Sequence, residues 1–347
     1  MRILVTGASG FIGGRFAAHA LSLGYEVRCS GRRAEPLSWL KQRGAECLAG
    51  DLLDPGFSER LAEGCEVIVH CAGAVGTWGP YSYFHDANVR TTEHVLAAAL
   101  RSKVRRLVHL SSPSMYFDGR DHRDITEDFV PPRFFDHYGA TKYLAEQKVF
   151  AAGRQGLEVI ALRPRFVIGA GDTAIFPRLL RAHQSGRLKI IGRGENQVDL
   201  TPVENLNLAL DLAIRAPEAA LGQAYNISNG EPVAFWPTFN RLLERLGMPA
   251  LTRHVPYPLA YGMACLAEWR AHLTPGQPEP AILRLGMAVM ARDFNLNIDA
   301  ARAQLGYQPQ VSVADGLEAF ARWWEAGMPA GLESAWSSNE RAGHALG

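Results

Sequence analysis

Ile3-Leu4-Val5-Thr6-Gly7-Ala8-Ser9-Gly10-Phe11-Ile12-Gly13 is the stretch on which the fold turns. Ile3-Leu4-Val5 is a short, wholly apolar run and reads as a buried strand. Glycines at 7, 10 and 13 follow it and open a helical pattern, with Ile12, Phe16 and Ala20 on one face and Gly24 as the stop. A glycine triplet between a strand and a helix is a dinucleotide fingerprint. The glycines let backbone approach a pyrophosphate, and the helix N-terminus offers unpaired N–H groups and partial positive charge. Gly7, Gly10, Phe11, Ile12 and Gly13 are therefore expected to hold a dinucleotide.

The pattern repeats outward from there. Tyr25 to Ser30 reads as a second strand, and a third strand-like stretch ends before Gly50-Asp51-Leu52. Val67 to Cys71 reads as a fourth strand running into Ala72-Gly73, a turn expected to pass under the cofactor. Arg106 to Ser112 gives a fifth strand and Val159 to Pro164 a sixth, with helical patterning between, as from Asn88 through Ala99. Such alternation predicts an α/β fold, a Rossmann-type doubly wound parallel sheet with helices on both faces. The position after the second strand usually carries an acidic residue in NAD-selective sites, which bonds the ribose 2′-hydroxyl. Here it reads Gly31-Arg32-Arg33, so no carboxylate repels a 2′-phosphate and two guanidiniums can hold one. NADP is favoured over NAD, the alternative being two solvated surface arginines. Asp51, beside Leu52, is placed to accept from the adenine amino group.

Tyr138-Gly139-Ala140-Thr141-Lys142 sets a tyrosine and a lysine four apart, on one face of a helix continuing through Leu144, Ala145 and Val149. A phenol ionises near pH 10, and an ammonium one turn away is expected to pull that value down toward acid–base work. The fifth strand ends in two hydroxyls, Ser111 and Ser112, and is cut off by Pro113. Asn88, near a helix start, reads as a cap by itself. His70, His109 and His137 show no metal-ligand spacing and read as packing or surface residues. No metal is expected.

The chain of 347 residues is 47% apolar and 20% charged, ordinary for a globular protein with ample core. Its formal net charge of +1 gives no electrostatic case for nucleic acid or an acidic membrane as the main partner. Five scattered cysteines without a Cys-x-x-Cys pair, and an opening that leaves no room for a signal peptide, fit a reducing cytoplasm. Residues 1–170 are expected to form the dinucleotide-binding domain and 171–330 a smaller, interwoven C-terminal region that binds substrate, with some segments returning to the first. In that region Phe176 to Gln184 looks helical, and Val198 to Thr201 looks like a strand feeding a helix from Val203. Residues 331–347 are expected to be a loosely ordered tail. Val255 to Ala267 is almost wholly apolar but broken by Pro256, Pro258 and Gly262, too short to span a bilayer; it suits a pocket wall or a lip touching a membrane peripherally. Trp78, Phe166 and Phe176 supply apolar surface for substrate, with Phe176 and Phe235 equally readable as core.

Gly7/Gly10/Gly13, Ser112 and Tyr138/Lys142 together resemble the extended short-chain dehydrogenase/reductase superfamily. The segments Gly76-Thr77-Trp78-Gly79, Leu162-Arg163-Pro164-Arg165, Asn226 to Pro232 and Gly306-Tyr307-Gln308-Pro309 resemble its 3β-hydroxysteroid dehydrogenase group. That group includes sterol-4-carboxylate 3-dehydrogenases and bacterial 2-alkyl-3-oxoalkanoate reductases. The resemblance implies an oxidoreductase acting on a 3-hydroxy or 3-oxo group of a bulky apolar molecule. It implies Tyr138 as the acid/base, Lys142 as its helper and a ligand of the nicotinamide ribose, and Ser112 as the group orienting the carbonyl. It further implies Asn88 in the proton-relay geometry, Pro164 against the nicotinamide, and a homodimer. Sterol-carboxylate relatives usually carry an acid at the position of Gly31, and its absence here counts against NAD and the oxidative direction. The competing reading is a nucleotide-sugar epimerase or dehydratase; such relatives tend to carry an arginine where this chain has Val198.

Overall fold

The computed structural model describes residues 1–328, and the segment 331–347 expected to be a loose tail lies outside them. Strands and helices alternate through the first half: β1 (Arg2–Thr6), α1 (Phe11–Ser22), β2 (Glu26–Gly31), α2 (Ser38–Gln42), β3 (Glu46–Ala49), α3 (Pro55–Ala62), β4 (Val67–His70), α4 (Tyr81–Phe84), α5 (Thr91–Arg101), β5 (Arg106–Leu110), β6 (His122–Ile125), α6 (His137–Gly153) and β7 (Glu158–Pro164). Shorter pieces follow: β8 (Val167–Ile168), α7 (Phe176–Gln184), β9 (Ile190–Ile191), β10 (Gln197–Val198), β11 (Thr201–Pro202), α8 (Val203–Arg215), β12 (Gln223–Ile227), β13 (Val233–Ala234), α9 (Phe235–Arg245), β14 (His254–Val255), α10 (Tyr257–Leu273), α11 (Arg284–Val289), β15 (Phe294–Leu296) and α12 (Val313–Glu325).

Seven strands form one parallel sheet in the order β12-β7-β5-β4-β1-β2-β3. Alternation of side chains explains why both faces are covered. Ile3 and Val5 pack among Phe16, Leu206 and Leu210 of α1 and α8. Leu4, pointing the other way, packs among Phe57, Leu61 and Val95 of α3 and α5. The strand order reverses between β1 and β4, and a crevice for a ligand opens outside the carboxyl ends of strands at such a switch point.

The second region is built on a four-stranded sheet, β13-β10-β15-β6, and an aromatic cluster including Phe176, Phe235, Trp236, Phe239 and Phe320. It is interwoven with the first: β6 comes from the N-terminal half, while β12 and α8 pack on the central sheet. The seventh central strand, Gln223–Ile227, went unread in sequence because it is short and opens on the polar, exposed Gln223. The strand expected over Val198 to Thr201 is split between β10 and β11, which pair with different partners. The apolar run from Val255 breaks at Pro256, which separates β14 from α10, but not at Pro258 or Gly262: Pro258 occupies the first turn of α10, where its missing N–H costs no bond, and Gly262 lies within the helix. α10 buries only small or paired residues, Ala260, Ala264, Glu268 and Ala271, and leaves Leu259, Met263, Leu266, Trp269 and Leu273 exposed. Among the described residues no helix is long and apolar enough to cross a membrane.

Candidate active site

The cradle at the switch point is made by backbone contact. Gly7 sits at φ +68°, and a Cβ there would stand 2.7 Å from the Ala72 nitrogen, at the end of β4. A Cβ on Gly13 would stand 2.5 Å from the Gly7 carbonyl oxygen, so α1 begins directly against the turn. Gly10 precedes Phe11 and Ile12 as an extended cap that supplies no side chain to the first N–H groups of α1. These donors and this close packing fit the pyrophosphate of a dinucleotide. The Ala72 N–H donates to Thr6 Oγ1 at 3.2 Å, tying the two strand ends together.

At the carboxyl end of β2 a Cβ on Gly31 would fall 2.5 Å from Ser9 Oγ. The acidic side chain typical of NAD sites would therefore require Ser9 to shift. Arg32 and Arg33 are exposed beyond it. Asp51 is exposed and accepts from the Leu53 N–H at 2.9 Å, so one of its oxygens already shapes its own turn. Leu52 is buried, and its carbonyl contacts His94 Nδ1 at 2.9 Å.

The second cluster lies at the carboxyl end of β5. Ser112 caps the short turn Pro113–Tyr116, and its hydroxyl donates to Ser114 Oγ at 3.0 Å. α6 is capped by Asp136, whose carboxylate accepts from the Gly139 N–H at 2.7 Å. Gly139 lets the helix press on the Ser114 carbonyl, since a Cβ would stand 2.7 Å from it. That approach sets Tyr138 beside Ser112, with the Phe84 ring edge-on at 6.4 Å. Lys142, one turn on, is buried, donates from Nζ to the Leu110 carbonyl at 2.7 Å and lies 3.4 Å from His109 Nε2.

The electrostatics differ from the expectation of a phenol pulled down by Lys142. Burial raises the Tyr138 pKa above its ordinary value, the Ser112 hydrogen bond opposes this, and the Asp136 charge adds to it. Burial brings Lys142 itself down to about 8, against the charges of Glu146 and Cys71. The ammonium is committed to the Leu110 carbonyl, and burial is the largest influence on the phenol. Asp136 is raised to about 6 by burial, against the Gly139 N–H bond.

Behind Lys142 the sequence missed a buried polar chain. His70 and His109 are fully buried, with ring centroids 5.4 Å apart. His70 reaches Thr6 Oγ1 at 2.8 Å and Thr92 Oγ1 at 3.0 Å, and burial lowers its pKa to about 3. His137, by contrast, is exposed and meets Tyr81 edge-on. Asn88 is not a helix cap. It is buried in a π-helical turn over His85–Arg90, accepts from the Ala74 N–H at 2.8 Å and donates to Thr141 Oγ1 at 3.1 Å. It thereby joins the β4 loop to α6. Among the described residues no group of His, Cys, Asp or Glu could hold a metal.

Of the apolar candidates, Trp78 meets the His272 ring at 4.7 Å, tilted by 40°, and donates to the Gln277 carbonyl at 2.9 Å, so its loop leans on the end of α10. Pro164 ends β7, and Phe166 follows it at φ +33° with Arg165 against its ring. Phe176 does not line a site: it is 1% exposed and enclosed by Phe239 and Phe320, as Phe235 is enclosed by Trp236 and Phe239. Amphipathic periodicity placed its ring inward, but a core and a pocket wall look alike in sequence.

With this geometry in place, the comparisons with known proteins are consistent. The chain is 36% identical over 328 residues, 91% of its length and 97% of the other, to a 2-alkyl-3-oxoalkanoate reductase of Stenotrophomonas maltophilia. It is 34% identical to the 4-hydroxy-2-methyl-3-oxo-4-farnesyl-3,4-dihydroquinoline-1-oxide ketoreductase of Stigmatella aurantiaca, covering 95% and 98% of the two chains. It is 29% identical to the mouse decarboxylating sterol-4-alpha-carboxylate 3-dehydrogenase, over 90% and 88%. Its fold is that of a UDP-glucuronic acid 4-epimerase from Bacillus cereus in complex with NAD, with TM-score 0.75 at 22% identity, covering 95% of this chain and all of that one. The model of the NAD dependent epimerase/dehydratase family matches residues 3–228, and the chain belongs to that family, as an oxidoreductase of the extended short-chain dehydrogenase/reductase type acting on alcohol and keto groups.

Proposed function

We propose that this protein uses NADPH to reduce a 3-oxo group on a bulky apolar substrate, with Tyr138 as proton donor. The observation that carries the reading is the placement of Tyr138 beside Ser112 at the carboxyl end of the central sheet, in a chain so similar to a 2-alkyl-3-oxoalkanoate reductase. The nicotinamide would supply the hydride. Gly7, Gly10, Phe11, Ile12, Gly13, Ala72 and Pro164 would hold the dinucleotide, with Asp51 and Leu52 toward its adenine end. Ser112 holds the carbonyl oxygen beside the phenol, and Tyr138 gives that oxygen its proton. Asn88 keeps the β4 loop and α6 in register. A phenol raised above its usual range stays protonated at neutral pH, which suits donation to a ketone rather than abstraction from an alcohol.

Arg32 and Arg33 beside the crowded Gly31 support NADP as the cofactor. Trp78, Phe166 and the adjoining end of α10 support an apolar substrate, a 2-alkyl-3-oxo acid ahead of a 3β-hydroxysteroid or sterol carboxylate. A buried methylene gains about 0.8 kcal/mol, so such a site favours long chains over sugars. The test is a series of 3-oxo compounds of increasing chain length, set beside a 3β-hydroxysteroid and a UDP-sugar, with NADPH and NADH. kcat/KM should rise with apolar size and be higher with NADPH. Preference for the UDP-sugar would overturn the reading.

A further inference from the structure

Arg165 is an arginine that nothing in the fold accounts for. It is 5% exposed, yet its Nε and Nη2 have no hydrogen-bond partner. Its guanidinium carbon lies 3.8 Å from the centroid of the Phe166 ring and 4.4 Å from that of Phe294. The nearby Asp199 does not satisfy it: one carboxylate oxygen accepts from the Leu296 N–H at 2.7 Å and the other is unpartnered. Burial brings the Arg165 pKa down to about 9, and the Asp199 charge only partly restores it. A buried charge with unused donors is costly to keep, so its retention needs a function.

Its position suggests one. Arg163 Nε donates to Glu146 Oε2 at 2.9 Å, which fixes β7 against α6. Arg165 continues the strand pairing, donating its N–H to the Ile227 carbonyl at 3.0 Å, and lies on the same face as Arg163. The helix runs opposite to the strand in a parallel α/β unit. Two residues further along the strand is about 6.6 Å. That brings Arg165 to the level of the helical turns preceding Glu146, which carry Lys142 and Tyr138. The aromatic rings on the guanidinium hold its plane, and along its edge Nε and Nη2 carry no partner, the donors a bidentate anion would take.

We propose that Arg165 binds the carboxylate of the substrate, so that a 3-oxo acid is gripped by charge-assisted hydrogen bonds while its ketone meets Tyr138 and Ser112. This rests on the reductase reading above and narrows it to acids. The names of the 2-alkyl-3-oxoalkanoate reductase and the sterol-4-alpha-carboxylate dehydrogenase each describe a carboxylate one carbon from the reacting position. In such a molecule anion and ketone are so close that the anchor must stand near the phenol. Arg165 is thus a specificity-determining residue, and the sequence signal was the second arginine of Leu162-Arg163-Pro164-Arg165.

The experiment compares wild type, Arg165→Met and Arg165→Lys in the full-length protein with NADPH. Each is assayed on a freshly prepared 2-alkyl-3-oxo acid and on its methyl ester. Arg165→Met should lower kcat/KM for the acid by about 10- to 100-fold and change the ester by less than about 3-fold, with the lysine variant between. Calorimetric binding of the corresponding 3-hydroxy acid and its ester to the same variants gives a readout that needs no turnover. A Met variant of unchanged melting temperature that loses acid and ester equally, or neither, overturns the proposal. If wild type turned over neither compound, the reductase reading would fail. The calorimetry would still decide Arg165, since an acid bound no more weakly by the Met variant refutes the anchor.

Discussion

Replacing Tyr138 by phenylalanine removes one oxygen, and the structure sets the size and shape of the effect. That oxygen lies beside Ser112, while the ring keeps its edge contact with Phe84. Ser112 retains Ser114 as a partner, so no buried group is orphaned. The melting temperature and the affinity for NADPH should therefore barely move. General acid help is typically worth ~10²–10⁴-fold, or about 3–5 kcal/mol of barrier, and kcat for ketone reduction should fall by that amount. The raised phenol adds a directional signature. Even at its ordinary value near 10, only about one phenol in a thousand is ionised at pH 7, so reduction finds its proton in place. Wild-type reduction should be flat between pH 6 and 9 as far as Tyr138 is concerned. Oxidation of the alcohol, which needs the phenolate, should rise about tenfold per pH unit over the same range. The assay is absorbance of the reduced nicotinamide, in both directions, across pH. A phenylalanine variant within tenfold of wild type, or an oxidation rate flat over that range, would refute the assignment.

Two further outcomes follow from the same geometry. Replacing Arg32 and Arg33 together by alanine should weaken NADPH by about 1.5–3 kcal/mol for each bond lost to a 2′-phosphate and leave NADH unchanged; equal loss of both cofactors in a titration would mean the arginines serve only as surface charge. Asp136→Asn should raise stability at pH 8 by far more than at pH 4. The buried carboxyl has a folded pKa of about 6, above its unfolded value of about 4, so its contribution is fully present below about 4 and is lost as pH rises from there through about 6, by roughly 2–3 kcal/mol in all. The asparagine keeps the cap on Gly139, and thermal melts of the two proteins at both pH values measure the difference.

The features legible in sequence share one property: the residues that make them are neighbours along the chain. The glycines at 7, 10 and 13 must close on each other within one turn, and Gly13 does press on the Gly7 carbonyl. The strands from Ile3 to Pro164 show as apolar runs between helical periods, and Tyr138 and Lys142 share a face because helices repeat every 3.6 residues. Sequence therefore determined the α/β class, the dinucleotide cradle and the pairing of a phenol with an amine. Whatever depended on which distant segment supplies the partner was decided by the tertiary structure. Asn88 looked like a cap until Ala74 and Thr141 stood beside it. Phe176 read equally as pocket lining or core until Phe239 and Phe320 enclosed it. Lys142 was expected to lower the Tyr138 pKa, but Leu110 of β5 takes its ammonium and burial from the surrounding elements raises the phenol. Burial and electrostatic shift are sums over everything within a few ångströms, and most of that is far away in sequence. Arg165 shows this most plainly: as a letter it is one more charge, and only packing between Phe166 and Phe294 makes it a buried cation with donors to spare.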